Sequence, residues 1–147
     1  FSKAHGLAGA RVGYAIAAAP LAQAFDKVRN HFGMSRVSQA GALAALRDQD
    51  WLAQVQARVI TARARMNAIA TANGLTPLPS ATNFVTIDCG RDGDHARALL
   101  RALTERGIFV RMPGVAPLDR CIRVSLGDEL ALAAFEAALP EALKSLA

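Results

Sequence analysis

The chain has 147 residues, of which 52% are hydrophobic and 20% charged, a globular composition that excludes a disordered or fibrous polymer. Its formal net charge of +5 suits anionic ligands. The basic residues are scattered, however, and aromatics make up only 5%, which argues against a single-strand nucleic-acid platform. No stretch is long and apolar enough to cross a bilayer, and the expectation is a cytoplasmic protein with neither a nucleic-acid nor a membrane partner.

In chain order, FSKAHGLAGA reads as a glycine-punctuated turn and residues 11–18, RVGYAIAA, as a strand. Pro20 opens a helix running to about Asn30, and HFGMS breaks it. Ser35 is a candidate N-cap for a short helix over RVSQAGALAAL. Beyond the RDQD turn, Leu52, Val55, Val59, Ala62, Met66 and Ile69 repeat at steps of three and four. That is the seam of one long helix, ended by Asn73-Gly74. Arg58, Arg63 and Arg65 lie off the seam and read as a solvated flank.

TPLPS reads as a stiff linker, followed by a strand at ATNFVTIDC. A helix over DGDHARALLRALTERG has an Asp cap and an apolar face at Leu99, Leu100 and Leu103. IFVRM and CIRVSLG predict two more strands, and Asp128 caps a last helix that Pro140 strains or ends. A lone strand before three helices leaves its backbone groups unpaired, so residues 1–75 are expected to be the tail of a larger domain. Residues 76–147 then form a small α+β domain.

The residues with chemical potential are few. Cys89 and Cys121 belong to no C-x-x-C pair and read as reduced and structural. His5, His31 and His95 lack metal-ligand spacing, so no metal is expected. Lys3 could serve as an imine-forming amine, and Ser2, the GLAG turn and Arg11 are the residue types that grip a phosphate. On residue chemistry alone an S-K pair is more often a surface dipeptide. Arg123, alternating with Ile122 and Val124, could equally be the exposed face of an amphipathic strand.

The order of these residues adds a further observation. SKAHGLAGARVGYAIA closely resembles the S-K-x-x-G-L-A-G-x-R-x-G-Y signature of fold type I pyridoxal-phosphate aminotransferases of class I/II. It matches at Ser2, Lys3, Gly6, Leu7, Ala8, Gly9, Arg11, Gly13 and Tyr14. The histidinol-phosphate aminotransferase-like branch is the most similar. Downstream, the long helix, the strand with Asn83 and Phe84, ERGIFVR and CIRVSLG follow in the order of that family's small domain.

The resemblance implies an α/β chain, the C-terminal part of such an enzyme, with pyridoxal 5′-phosphate as cofactor and an amino acid and a 2-oxo acid as substrates. Lys3 would form the imine with the cofactor and shuttle the proton between the substrate Cα and the cofactor C4′. Ser2 and Arg11 would hold the cofactor phosphate, Arg123 the substrate α-carboxylate, and Arg111 a distal phosphate. Asn83 would be structural and His5 would line the site. His31 departs from the usual histidinol-phosphate pattern, which leaves the substrate open. In the family the other cofactor contacts precede the lysine, so these 147 residues alone are expected to be inactive, and the complete enzyme to be a homodimer. The alternatives are an amino-acid decarboxylase of the same fold, or a non-enzymatic basic binding module.

Overall fold

The computed structural model describes residues 1–146. Their contacts form two compact units, Phe1–Ala57 and Arg58–Ala147.

The first unit begins with a tight loop and a 3-10 turn at Ala8–Ala10, followed by helices α1 (Ala19–Val28) and α2 (Arg36–Arg47) and the start of α3 (Gln49–Ala72). Pro20 lies in the first turn of α1, where its missing N–H costs no helical bond. Ser35 caps α2, its Oγ accepting from Ser38 N at 3.0 Å. Residues 12–18 differ from the expected strand: they form no ladder. A strand exists only with a hydrogen-bonding neighbour, and none of the described residues supplies one. Ala42 is this unit's one buried apolar residue among those described, while Phe25, Val28 and Phe32 stay exposed.

The second unit is an antiparallel sheet covered on one face by helices. The seam of α3 becomes fully buried at Ala62, Met66 and Ile69. A Schellman end closes the helix: Leu75 N donates to Ala70 O and Gly74 N to Thr71 O, with Gly74 at φ +74°. β1 (Thr76–Pro77) lies within the stretch expected as a linker, and its proline is tolerated on an edge strand. It pairs with β2 (Phe84–Asp88), which leads to α4 (Gly93–Glu105), β3 (Cys121–Ser125) and α5 (Glu129–Lys144).

The strand order is β1-β2-β3, and β2 and β3 pair with Thr86 opposite Arg123. Alternation sends Val85, Ile87, Ile122 and Val124 into the core, where Leu99 and Leu103 of α4 and Leu132, Phe135 and Leu139 of α5 complete it. Asp92 and Asp128 cap α4 and α5 by accepting from His95 N and Ala131 N. Pro140 does not end α5. The last turn continues past it to Lys144, held by buried Leu139 and Ala142 on either side. IFVRM reduces to a single bridged residue, Arg111. Among the described residues no helix is long and apolar enough to cross a membrane.

Candidate active site

Lys3 sits on a loop whose backbone closes on itself. Gly6 N donates to Lys3 O at 3.0 Å and Leu7 N to Phe1 O at 3.1 Å. Gly6 adopts φ +66°, a conformation that would strain a residue carrying a Cβ. The Phe1 ring packs on His5 at 5.0 Å and on Tyr14 at 5.4 Å, so three aromatic side chains brace the turn.

At the far end of the loop, Arg11 is the one non-glycine residue with positive φ among those described, at φ 49° and ψ 47°. Such a left-handed residue costs roughly 1–2 kcal/mol and persists only where its surroundings impose it. Two bonds impose it here. The Arg11 guanidinium donates to Ala8 O at 2.7 Å, and Ser38 Oγ of α2 donates to Ala10 O at 2.7 Å.

Ser2, Lys3 and Arg11 therefore belong to one stiff loop, with Lys3 and Arg11 exposed and Ser2 half-buried. No carboxylate side chain occurs in the first 25 residues, and Lys3 enters no ion pair among the described residues. Arg11 spends one of its five donors on Ala8, which leaves the others for an anion. His5 Nδ1 is buried and has no partner among the described residues. A hydroxyl, an amine, a guanidinium and an orphaned imidazole nitrogen on one cationic loop fit a phosphorylated aldehyde such as pyridoxal 5′-phosphate.

The second group of candidates lies on the sheet of the second unit. Arg111 and Arg123 face each other as an exchanged pair: Arg111 N donates to Arg123 O at 3.1 Å and Arg123 N to Arg111 O at 2.6 Å. Directly opposed residues point to the same face, so the two guanidiniums and Thr86 share one row across the sheet. Like charges placed this way repel. Neither arginine enters an ion pair among the described residues.

The one carboxylate carried by β2 or β3, Asp88, is engaged elsewhere. Arg120 Nε reaches its two oxygens at 2.9 and 3.0 Å, and Nη2 reaches Oδ2 at 2.6 Å. The Arg120 fork holds the Asp88 carboxyl below its usual pKa. Two positive charges on the sheet's open face thus have no carboxylate partner among the described residues. Each rests on a ring, Arg123 at 4.9 Å from the Phe84 centroid and Arg111 at 5.9 Å from that of Phe109.

Several other polar residues have structural partners. Arg65 bridges Glu129 and Glu136 of α5, the latter at 2.7 Å, and Arg63 Nη2 donates to Thr82 O at 2.8 Å. Asn83 contributes its carbonyl to Leu126 N. Burial pushes the Cys89 thiol up to about 11, which makes it unreactive near neutrality. The pairing of Arg111 with Arg123 across twelve residues had no sequence signal. Nor did the two phenylalanines beneath them, apart from the Asn-Phe pair.

A profile of the family described as aminotransferase class I and II matches residues 1–138. Histidinol-phosphate aminotransferase 2 of Gluconobacter oxydans is 40% identical over 129 residues, covering 86% of this chain and 36% of that protein. Histidinol-phosphate aminotransferase of Shouchella clausii is 35% identical over 146 residues, covering 99% of this chain and 39% of that one. The crystal structure of histidinol-phosphate aminotransferase from Sinorhizobium meliloti, in complex with pyridoxal-5′-phosphate, superposes with a TM-score of 0.96 at 56% identity. It covers 100% of this chain and 40% of that protein. The chain spans 34–41% of the length of the curated relatives it matches.

Proposed function

The chain belongs to the aminotransferase class I and II family, and from that premise we propose that it is the lysine-bearing part of a pyridoxal-phosphate-dependent aminotransferase. In this reading residues 1–75 are the tail of the cofactor-binding domain and residues 76–147 its small domain. The complete enzyme is a cytoplasmic homodimer, and the 147 residues alone are inactive. The observation that carries the reading is the carboxylate-free loop that presents Ser2, Lys3 and a left-handed Arg11 together.

The cofactor, when bound, withdraws electrons from the substrate's α-carbon and so acidifies its C–H bond. The chain's own residues do the rest. Ser2 Oγ and the Arg11 guanidinium hold the cofactor phosphate, a dianion suited to charge-assisted donors. Lys3 Nζ anchors the cofactor. In its neutral form it then accepts the proton from the substrate Cα, a general-base step typically contributing about 10²–10⁴-fold. The fixed loop backbone keeps that amine at one position, which supports rate through orientation.

Arg123 and Arg111 bind the substrate's anionic groups. A planar fork suits a carboxylate or a phosphate in bidentate geometry, which a lysine cannot copy. Two adjacent forks match the two carboxylates of glutamate as well as the phosphate monoester of histidinol phosphate. One charge pattern thereby serves two amino donors of different shape, together with the carbonyl compound that each becomes. The names of the two aminotransferases from Gluconobacter oxydans and Shouchella clausii support histidinol phosphate as one of them.

The test is Lys3→Ala in the complete polypeptide. Transamination, followed as 2-oxo acid formed without release of carbon dioxide, is expected to fall by at least about a hundredfold. The circular dichroism spectrum should be retained, because Lys3 is exposed and enters no ion pair among the described residues. Activity that survived the substitution would remove Lys3 from the mechanism.

A further inference from the structure

An arginine that must receive an anion faces a conflict. Its long side chain needs an orienting contact, and the usual one is a carboxylate, which consumes the N–H donors the substrate requires. The sheet shows both solutions side by side. Arg120 is oriented by Asp88 through three short contacts, and that fork is spent. Arg123, three positions later, meets no carboxylate among the described residues. Instead its guanidinium carbon lies 4.9 Å from the centroid of the Phe84 ring.

We infer that Phe84 is a positioning residue for the substrate anion: its ring supports the flat face of the Arg123 guanidinium and leaves the N–H edge to the incoming carboxylate or phosphate. The inference rests on the reading of Arg123 as the anion's partner. The strand register makes the contact. Phe84 pairs with Ser125 and Thr86 with Arg123, so Phe84 is the diagonal neighbour of Arg123 on the same face, within reach of a long side chain.

The β2–β3 ladder fixes the two backbones relative to each other, and the exchanged bonds with Arg111 hold Arg123 from its other side. A ring face attracts the cation through its quadrupole and takes no donor. Arg111 is held differently. Phe109, 5.9 Å away, is 77% exposed and near the limit at which the attraction counts. Arg123 is thus the fixed anchor of the pair and Arg111 the adaptable member, an asymmetry suited to two substrates that each place one anionic group at Arg123 and differ beyond it.

The experiment uses the complete, cofactor-loaded enzyme with two readouts: steady-state kinetics with glutamate, and the Kd for succinate, a dicarboxylate that cannot react. In Phe84→Leu both KM for glutamate and Kd for succinate are expected to rise roughly fivefold to tenfold. The kcat should stay within about twofold, the signature of a lost binding contact. Phe84→Tyr keeps the ring face and is expected to stay near the parent.

Progressively fluorinated phenylalanines at position 84 keep the ring's shape while draining its negative face. KM should climb with each fluorine, a trend that a packing role would not produce. Unchanged KM and Kd in Phe84→Leu, or a flat fluorination series, overturns the inference. Should Phe84→Leu fail to fold, the fluorinated series alone decides. Arg123→Lys separates the two levels: if that variant also leaves KM and Kd unchanged, the anion-binding role of Arg123 falls, and the role of Phe84 with it.

Discussion

In Phe1–Ala57 only Ala42 is buried among the described apolar residues, whereas all the others that are buried belong to Arg58–Ala147. Both units present cationic side chains, but they hold them by different means. Lys3 and Arg11 are placed by local backbone bonds, a left-handed residue and the Ser38 hydroxyl. Arg111 and Arg123 stand on a sheet whose opposite face is closed by Leu99, Leu103, Leu132, Phe135 and Leu139. Local bonds are enough to shape a loop, but they contribute little to global stability, because hydrophobic burial is the dominant favourable term in folding. Lys3 and Arg11 therefore occupy the unit with less stabilisation of its own.

The contrast predicts unequal responses to truncation. Leu99 is fully buried, and Leu99→Ala is expected to destabilise the second unit by about 2–5 kcal/mol in urea unfolding. Phe32 is a larger side chain, but it is 96% exposed, and Phe32→Ser should change stability by no more than about 0.5 kcal/mol. Comparable losses at the two positions would mean that the first unit has a core of its own, and the distinction would collapse.

Helix caps give a finer probe, because the same chemistry recurs in both units. Ser35 caps α2 and Asp128 caps α5, each accepting from the backbone N–H three residues on. Asp128→Ala is expected to lower the cooperative unfolding free energy of the second unit by about 1 kcal/mol. Ser35→Ala removes an equivalent bond where little is coupled to it. Its effect should show in amide hydrogen exchange at the start of α2 and leave the main transition in place. A shift of that transition by Ser35→Ala equal to that by Asp128→Ala would show the two units to be one cooperative body.

What the sequence made legible follows the same division between local and long-range information. The caps at Ser35 and Asp128, an Asp cap on α4, the end of α3 at Gly74 and its seam from Leu52 to Ile69 rest on contacts within a few residues, and the structure has them all, with Asp92 as the α4 cap. The signature of residues 2–14 was readable because order and spacing alone carry it. Pairing was not readable. RVGYAIAA has strand composition but no neighbour to bond with among the described residues, and IFVRM keeps one bridged pair. Pro140 was expected to strain or end α5, yet tertiary burial at Leu139 and Ala142 carries the helix past it. The opposition of Arg111 and Arg123 depends on how residues 112–122 return the chain to the sheet, and no periodicity encodes that.

The smallest expected effect concerns pH and is confined to the second unit. Arg120 donates to Asp88 in the folded state, and this hydrogen bond, with help from Gly90 N, holds the Asp88 carboxyl below its usual pKa. A depressed folded-state value means that the native state binds its proton less readily than the unfolded chain does. The stabilisation is therefore complete above the ordinary carboxylate value of about 3.9, and it is lost as the pH falls below that value and through the folded one. Asp88→Asn cannot titrate. Its melting temperature should start slightly below the parent's at pH 7 and converge on it as the pH is lowered from about 5 toward 2. Parallel melting curves for parent and variant across that range would show that the Asp88–Arg120 contact is solvent-screened and contributes nothing to the sheet. The open face would then lose the argument that its one strand carboxylate is occupied, and Asp88 would have to be counted as a competitor for Arg123.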